Sequence, residues 1–305
     1  MQCICIEIKK SYEDIIQYVA EELKNLKGLK IQFSINKIKT NYGMTVVCKA
    51  YKIDGESDGA DQKTYKILVK HVSNVLAKYV INQYEKKLMK RIINSNYCYF
   101  NAFEKKEILE VANRIMENKE NDFFCSFFKI RRQKIIFKNL TEYFETSSNI
   151  VILEGFVNFR IKEYVADLEE IVDKSVNEFL MNREYKEFIR LLRYFIDIQE
   201  SKIDIIHIVI DSEGRYRLLD HKLKEITNEL SNESLMDIVN ECNSKDITSD
   251  DILISWLITL APKSVILHAP KFFKNKELLK TIQNIFSENL ILCNECEICV
   301  LNPNN

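Results

Sequence analysis

The sequence contains little glycine, proline or histidine. Only 6 Gly and 3 Pro occur among 305 residues, so Gly-rich ligand loops and long irregular segments are scarce. The phosphate-binding P-loop, the dinucleotide fingerprint, the G-x-S-x-G elbow and the H-E-x-x-H zinc motif are all absent. The 4 His leave few side chains that titrate near neutral pH. These absences favour a non-enzymatic protein over an enzyme, and we assign no catalytic and no cofactor-binding residue.

Long hydrophobic runs are also missing. The strongest apolar stretch, "ILISWLITLA" at 252–261, is much shorter than the ~20 residues that cross a bilayer, so no membrane span is expected. The N-terminal "MQCICIEIKK" lacks the features of a secretion signal. The 9 Cys show no paired spacing framework, which is typical of a reducing cytoplasm. The sequence therefore predicts a cytoplasmic protein.

Charge is unevenly distributed along the chain. Residues 1–150 hold 26 Lys+Arg against 18 Asp+Glu, whereas residues 151–305 hold 18 against 27. A basic half can bind an anionic partner such as nucleic acid or membrane headgroups, but it can also dock on an acidic domain or form a plain solvated surface. No aromatic-basic motif accompanies the charge, so we do not favour nucleic acid as the partner. The basic residues gather in two clusters: Lys86, Lys87, Lys90 and Arg91, and Lys129, Arg131, Arg132, Lys134 and Lys138.

Hydrophobic periodicity predicts an α+β protein in which helices predominate. Residues 1–60 read as a small βαββ module, with Ser11 and Gly28 at the helix ends and a turn at Asn41 and Gly43. The acidic "DGESDGADQ" at 54–62 is the clearest linker. Residues 61–200 form a central region of long helices, including one that opens with a capping box at Asn101 and Glu104. Residues 201–305 alternate strands and helices, as in a small α/β layer ending in a Cys-rich tail.

The segment from Phe156 to Phe195 is rich in aromatic residues at helical spacing. We interpret it as two antiparallel amphipathic helices joined near "MNRE" at 181–184, with the rings buried between them. Charged residues beside the apolar bands then form ion pairs on the outside of the helices rather than an inward polar site. These residues are Arg160, Glu163, Asp173, Glu187, Arg190 and Arg193.

The C-terminal "CNECEIC" carries cysteines at C-x-x-C-x-x-C spacing. Cys293, Cys296 and Cys299 are candidate ligands of zinc or an iron-sulfur cluster, but a closed site needs four ligands. The fourth is either His268 or Cys242. The alternative is that the cysteines are small side chains in a C-terminal strand. His207 and His268 lie in apolar strands, which is more typical of hydrogen-bonded core residues than of catalytic bases.

The order of several stretches resembles the YtxC-like family of sporulation proteins from endospore-forming Firmicutes. These stretches are "EGFVNFRIKEY", "EYKEFIRLLRYFIDIQ", "IHIVID", "DILISWLITLAPKSVILH" and "CNECEIC". The resemblance is strong over residues 150–300. Over the first half of the chain it rests only on the length of that half and the layout of its segments. It implies a cytoplasmic protein linked to sporulation, and it carries no catalytic residue onto this chain.

Three hypotheses follow for the function. The leading one is a non-enzymatic interaction or scaffold protein of sporulation that binds protein partners through its central helices. The second is a nucleic-acid-associated protein that uses the basic first half. The third is a metal-binding enzyme or sensor built on Cys293, Cys296 and Cys299.

Overall fold

Helices predominate over two small sheets in this protein, which confirms the helix-predominant α+β fold class. The computed structural model describes residues 3–8, 14–24, 31–40, 43–52, 62–117, 123–210, 215–227, 248–273, 275–294 and 296–300. The chain divides into two compact units, unit 1 (Met1–Leu180) and unit 2 (Met181–Asn305). The division into regions at residues 60 and 200 stays a prediction.

Unit 1 begins with the predicted βαββ order. Strand β1 (Cys3–Ile8) is followed by α1 (Asp14–Lys24), β2 (Ile31–Thr40) and β3 (Gly43–Lys52). The alternation of β1 buries Ile4, Ile6 and Ile8 on one face of an antiparallel sheet. A fourth strand, β4 (Ile150–Ile152), pairs in parallel with the outer edge of β1 and gives the order β2-β3-β1-β4. The predicted caps Ser11 and Gly28, the turn residue Asn41 and almost all of the linker lie outside the described residues.

Four helices of unit 1 follow between and after these strands: α2 (Gln62–Asn96), α3 (Ala102–Glu117), α4 (Phe123–Thr146) and α5 (Leu153–Phe159). The capping box that opens α3 is confirmed. The Asn101 side chain accepts from the backbone N–H groups of Phe103 and Glu104 at 2.9 and 3.0 Å, and Glu104 accepts from the Asn101 N–H at 2.9 Å. Two of the otherwise unbonded N–H groups of the first turn are thereby satisfied.

The predicted helix pair is wrong. A single helix, α6 (Lys162–Ile198), runs through "MNRE" without a turn, because this stretch contains no Gly or Pro and Asn182 continues the helical backbone. The aromatic residues therefore do not pack against each other across two rods. Phe156 and Tyr164 are buried in the core of unit 1, whereas Phe188 and Phe195 are 51% and 47% exposed.

Five of the six charged residues beside the apolar bands make individual contacts, as the ion-pair interpretation expects in part. Glu187 pairs with Arg190 at 3.6 Å, and Tyr97 donates to Asp173 at 2.5 Å. The guanidinium of Arg160 lies over the ring of Tyr143. Arg193 Nε donates to the Asn284 carbonyl at 2.6 Å. None of these described contacts brings the six residues into one polar site.

Unit 2 is a small α/β layer, as predicted. Its elements are β5 (Ile205–Ile210), β6 (Tyr216–Leu219), α7 (Ser249–Leu260), β7 (Ser264–His268), α8 (Lys276–Phe286), β8 (Leu290–Cys293) and the short α9 (Glu297–Val300). The sheet order is β6-β5-β7-β8, in which β5, β7 and β8 are parallel and β6 is an antiparallel edge. Thr248 and Asp251 cap α7 reciprocally, and α7 ends just before Pro262. The helical spacing of "HKLKEITNEL" predicts a helix from residue 221, but over residues 221–226 the chain instead forms a turn that leads to a bridge between Leu219 and Glu225.

One face of the unit 2 sheet carries the hydrophobic core. Ile206, Ile208 and Leu267 point to this face and pack with helical side chains such as Trp256 and Ile282. Ile189 and Leu192 of α6 belong to the same core. Since successive strand residues point to opposite faces and Ile208 is paired with Leu267, His207 and His268 lie on the other face. No helix in the described part of the chain is long and apolar enough to cross a membrane.

Candidate metal centre

Strands β7 and β8 end side by side and place two ligand-type residues next to each other. His268 is the last residue of β7, Cys293 is the last residue of β8, and the two are paired in register. The Ala269 N–H donates to the Cys293 carbonyl at 2.8 Å and extends this pairing by one bond. The chain then turns back, so that Cys296 and Cys299 approach from the C-terminal side, Cys299 within α9.

The three cysteines meet His268 in one compact cluster. Their sulfurs and one ring nitrogen of His268 all lie within 4.8 Å of one another. Cys299 Sγ is 3.6 Å from Cys296 Sγ and 3.8 Å from Cys293 Sγ. The Nδ1 atom of His268 is 3.2 Å from Cys296 Sγ and 3.5 Å from Cys299 Sγ. Of the two candidate fourth ligands, His268 is the one that joins the cysteines, and Cys242 lies outside the described residues.

These separations match the edges of a tetrahedron around one metal ion. Zinc binds thiolate sulfur at about 2.3 Å and imidazole nitrogen at about 2.0–2.1 Å, so a tetrahedral site has S–S edges of about 3.8 Å and S–N edges of about 3.5 Å. Four of the six edges, those from Cys299 to the other ligands and the one from Cys296 to His268, deviate from these values by no more than a few tenths of an ångström. The other two edges are no longer than 4.8 Å. The donor set, three thiols and one imidazole, is one that zinc uses in structural sites.

The cluster is shielded from solvent. Cys299 is fully buried, His268 is 3% exposed, and Cys293 and Cys296 are half-buried. Burial raises the pKa of the Cys299 thiol to about 11, and burial together with the neighbouring His207 lowers the pKa of His268 to about 4. Because of these two pKa shifts, the Cys299 thiol and the His268 imidazole are both uncharged near pH 7 when no cation is bound. A metal ion favours the thiolate over the thiol, so its binding releases protons from such a site.

His207 contacts the cluster from the neighbouring strand β5. Its Nδ1 atom lies 2.9 Å from Nε2 of His268, and the two rings are nearly parallel, with an interplanar angle of 14°. The apolar strands around His207 and His268 predict hydrogen-bonded histidines but do not connect the two residues to each other or to the cysteines. The only signal in the sequence was their shared position in two short apolar strands, and the contact depends on the register of β5 and β7.

Not every residue of the two basic clusters is available at the surface to bind an anionic partner. Arg131 pairs with Asp167 at 3.3 Å, and Arg132 is buried beside Glu85 at 3.6 Å. On α2, Arg91 donates to Asn158 at 2.8 Å. Lys86, Lys87, Lys90, Lys134 and Lys138 are exposed, and the side chain of Lys129 lies outside the described residues. The use of this surface for nucleic acid stays a prediction.

The chain has sequence relatives but no structural match. A protein-family model described as the YtxC-like family matches residues 70–291, a range that includes His207 and His268 and ends two residues before Cys293. A Bacillus subtilis (strain 168) protein titled "Uncharacterized protein YtxC" is 27% identical over 221 residues, which is 71% of this chain and 74% of the relative. No solved structure matches. The family match spans most of the sequence, and the chain therefore belongs to the YtxC-like family.

Proposed function

We propose that unit 2 is a zinc-binding module in which His268, Cys293, Cys296 and Cys299 hold one Zn²⁺. The observation that carries this proposal is the match between the measured ligand separations and the edges of one zinc tetrahedron. Four protein ligands fill the tetrahedron and leave no position for substrate, so the role of the ion is structural. The ion ties the C-terminal tail to the ends of β7 and β8.

An iron-sulfur cluster fits the same residues less well. Such a cluster places several irons and inorganic sulfides between its cysteine ligands, so the ligand sulfurs stand farther apart than the edge of a single tetrahedron. The sulfur of Cys299 already lies at single-ion separations from those of Cys296 and Cys293. Zinc is also redox-inactive, which suits a fully ligated structural site.

Metal content of the purified protein tests this proposal. Protein purified without chelator and dialysed against trace zinc should contain about one Zn²⁺ per chain by elemental analysis and show no visible absorption from an iron-sulfur cluster. Cys296→Ser and His268→Ala each remove one of four ligands and should reduce the bound zinc to a small fraction of this value. Substitution by Co²⁺ should give the intense visible bands of a tetrahedral thiolate site in the wild-type protein alone.

A cysteine of unit 1 provides the matched control. Cys98 is exposed and takes no part in the cluster, so Cys98→Ser should retain one zinc per chain. A wild-type protein that stays metal-free after incubation with zinc contradicts the proposal. So does full zinc occupancy in both ligand variants.

We further propose that the protein acts as a cytoplasmic, sporulation-associated interaction protein. Membership of the YtxC-like family supports the setting, and an exposed apolar face on α6 supports the contact with protein. We call this surface the α6 face, and each of its side chains is 47–70% exposed. They are Met181, Phe188, Leu191, Tyr194, Phe195 and Ile198.

A second copy of this chain is the partner that we propose for the α6 face. Phe188, Leu191, Phe195 and Ile198 follow one another at steps of three, four and three, the spacing by which two helices pack along a seam. Six large side chains, each about half exposed, present on the order of 600 Å² per copy. Two such faces bury roughly 1,200 Å², the lower limit for a stable specific interface. A two-fold axis lets the same face serve both copies.

The mass of the protein in solution tests the α6 face. The wild-type protein should be a dimer by light scattering at micromolar concentration, and Leu191→Glu combined with Phe195→Glu should be a monomer with an unchanged helix content. Phe159→Glu is the matched control, because Phe159 is 73% exposed but lies on α5 outside the face. In the native host, spore yield should fall with the double variant and not with the control.

The other outcomes each contradict part of this proposal. A monomeric wild-type protein rules out self-association. A dimer that survives the double substitution places the interface elsewhere. If the protein is a monomer and captures a different protein through the α6 face, that protein is the partner and not a second copy of this chain.

A further inference from the structure

We infer that His207 is a positioning residue of the zinc centre, which accepts a hydrogen bond from His268 and fixes the ring nitrogen that faces the metal. The inference rests on the proposed zinc site and adds a fifth side chain that does not touch the ion. It assigns to each ring nitrogen of both histidines a defined role.

The roles follow from the two sides of the His268 ring. Its Nδ1 atom faces the sulfurs of Cys296 and Cys299 at 3.2 and 3.5 Å, so this is the atom that can bind the ion. A neutral imidazole carries one proton, and a nitrogen bound to metal cannot hold it. The proton of zinc-bound His268 is therefore on Nε2, which lies 2.9 Å from Nδ1 of His207.

His207 must then be the acceptor of this bond. Since Nε2 of His268 donates, Nδ1 of His207 carries no proton, and the neutral His207 ring holds its proton on Nε2. Ligating histidines ordinarily donate their second N–H to a carboxylate, a carbonyl or water, and this partner fixes the orientation of the ring. Here a second histidine takes that place.

The sheet holds His207 where this role requires it. His207 pairs in register with Leu219 on one side and with Ile266 on the other, so its strand is fixed at both edges. The ring of His207 lies 5.2 Å from the ring of His268, centroid to centroid, on the face of the sheet opposite the core. The imidazole of His268 thus has a fixed acceptor on one side and the thiols on the other.

Two substitutions at residue 207 separate positioning from packing. In His207→Asn, the amide oxygen takes about the place of Nδ1 and can accept the same bond, whereas His207→Leu fills similar space without an acceptor. Loss of such a partner weakens metal binding roughly 10–100-fold. We expect this loss in His207→Leu and a loss of no more than about threefold in His207→Asn, measured by competition for Zn²⁺ with a chelating indicator.

His221 supplies the control. It is an exposed histidine in the turn after β6, and His221→Ala should bind zinc like the wild type. Equal weakening in the Leu and Asn variants overturns the inference, because packing alone then explains the loss. Unchanged affinity in His207→Leu overturns it as well.

A measurement on the unaltered protein covers the case in which a variant does not fold. Nitrogen-15 NMR of the zinc-loaded wild type should show His268 with metal on Nδ1 and hydrogen on Nε2, and His207 with hydrogen on Nε2. A His268 ring that binds zinc through Nε2 overturns the inference while leaving the zinc site itself intact. A wild-type protein that binds no zinc is the separate result by which the proposed function fails.

Discussion

At the scale of single residues, the least expected feature is a charged cluster inside unit 1. Arg132 on α4 is 3% exposed and lies 3.6 Å from Glu85 on α2. The hydroxyl of Tyr164 on α6 donates to the same carboxylate at 2.7 Å, and burial together with Glu85 raises the pKa of Tyr164. In the sequence, Arg132 was one of several basic residues in "FKIRRQKIIFK". Only the packing of three helices distinguishes it from its exposed neighbours.

Removal of the charge on Glu85 should destabilise unit 1 strongly. Glu85→Gln keeps an acceptor for Tyr164 but leaves the guanidinium of Arg132 buried without a counter-charge. Breaking one side of a buried ion pair costs about 3–5 kcal/mol, so the midpoint of urea unfolding should fall accordingly.

An exposed ion pair on α6 is the control for this prediction. Glu170 and Lys174 lie 2.8 Å apart with side chains about 60% exposed, and Glu170→Gln should change the free energy of unfolding by less than about 1 kcal/mol. The combination Glu85→Gln with Arg132→Met should recover much of the loss, because no charge then remains buried. Equal effects of Glu85→Gln and Glu170→Gln would show that the buried pair has no special role.

At the scale of elements, local signals predicted helix starts well and helix continuity badly. The capping box of Asn101 and Glu104 could be predicted because a cap depends on side chains within three residues of one another. The break expected at residues 181–184 had no such basis. It was inferred from two aromatic bands. The side chains of the first band pack in the core of unit 1, whereas the exposed rings of the second band lie on the α6 face. Periodicity alone does not distinguish two packed helices from one helix that meets different surroundings along its length.

The cap of α3 gives a prediction at this scale. Asn101→Ala removes the acceptor for the Phe103 and Glu104 N–H groups and should lower the free energy of unfolding by about 1 kcal/mol. Asn101→Ser retains a capping side chain and should lose less. Lys106→Ala, on the exposed surface of the same helix, should be nearly neutral. Chemical denaturation of the three variants measures the difference, and an Ala variant as stable as the Ser variant would contradict the role of the cap.

At the scale of the whole molecule, the class and order of elements could be predicted, whereas contacts between distant segments could not. The alternation of strand and helix through β7, α8 and β8 followed from periodicity. The pairing of β4 with β1 joins residues about 145 positions apart, and "NIVI" is too short to show a strand pattern. Three of the four residues of the metal-ligand cluster could be predicted, because the three cysteines share one motif. The choice of His268, and the approach of His207, needed the register of a parallel sheet.

The continuity of α6 has a consequence for anyone who divides this protein into pieces. Unit 1 ends and unit 2 begins within one run of helical backbone, and Ile189 and Leu192 of that run complete the second hydrophobic core. A recombinant fragment that starts at residue 201 would omit both side chains. One that starts at residue 181 would keep them, but the frayed end of its severed helix would lie only about two turns before Ile189. A fragment that retains several additional turns upstream of Met181 is the one expected to fold.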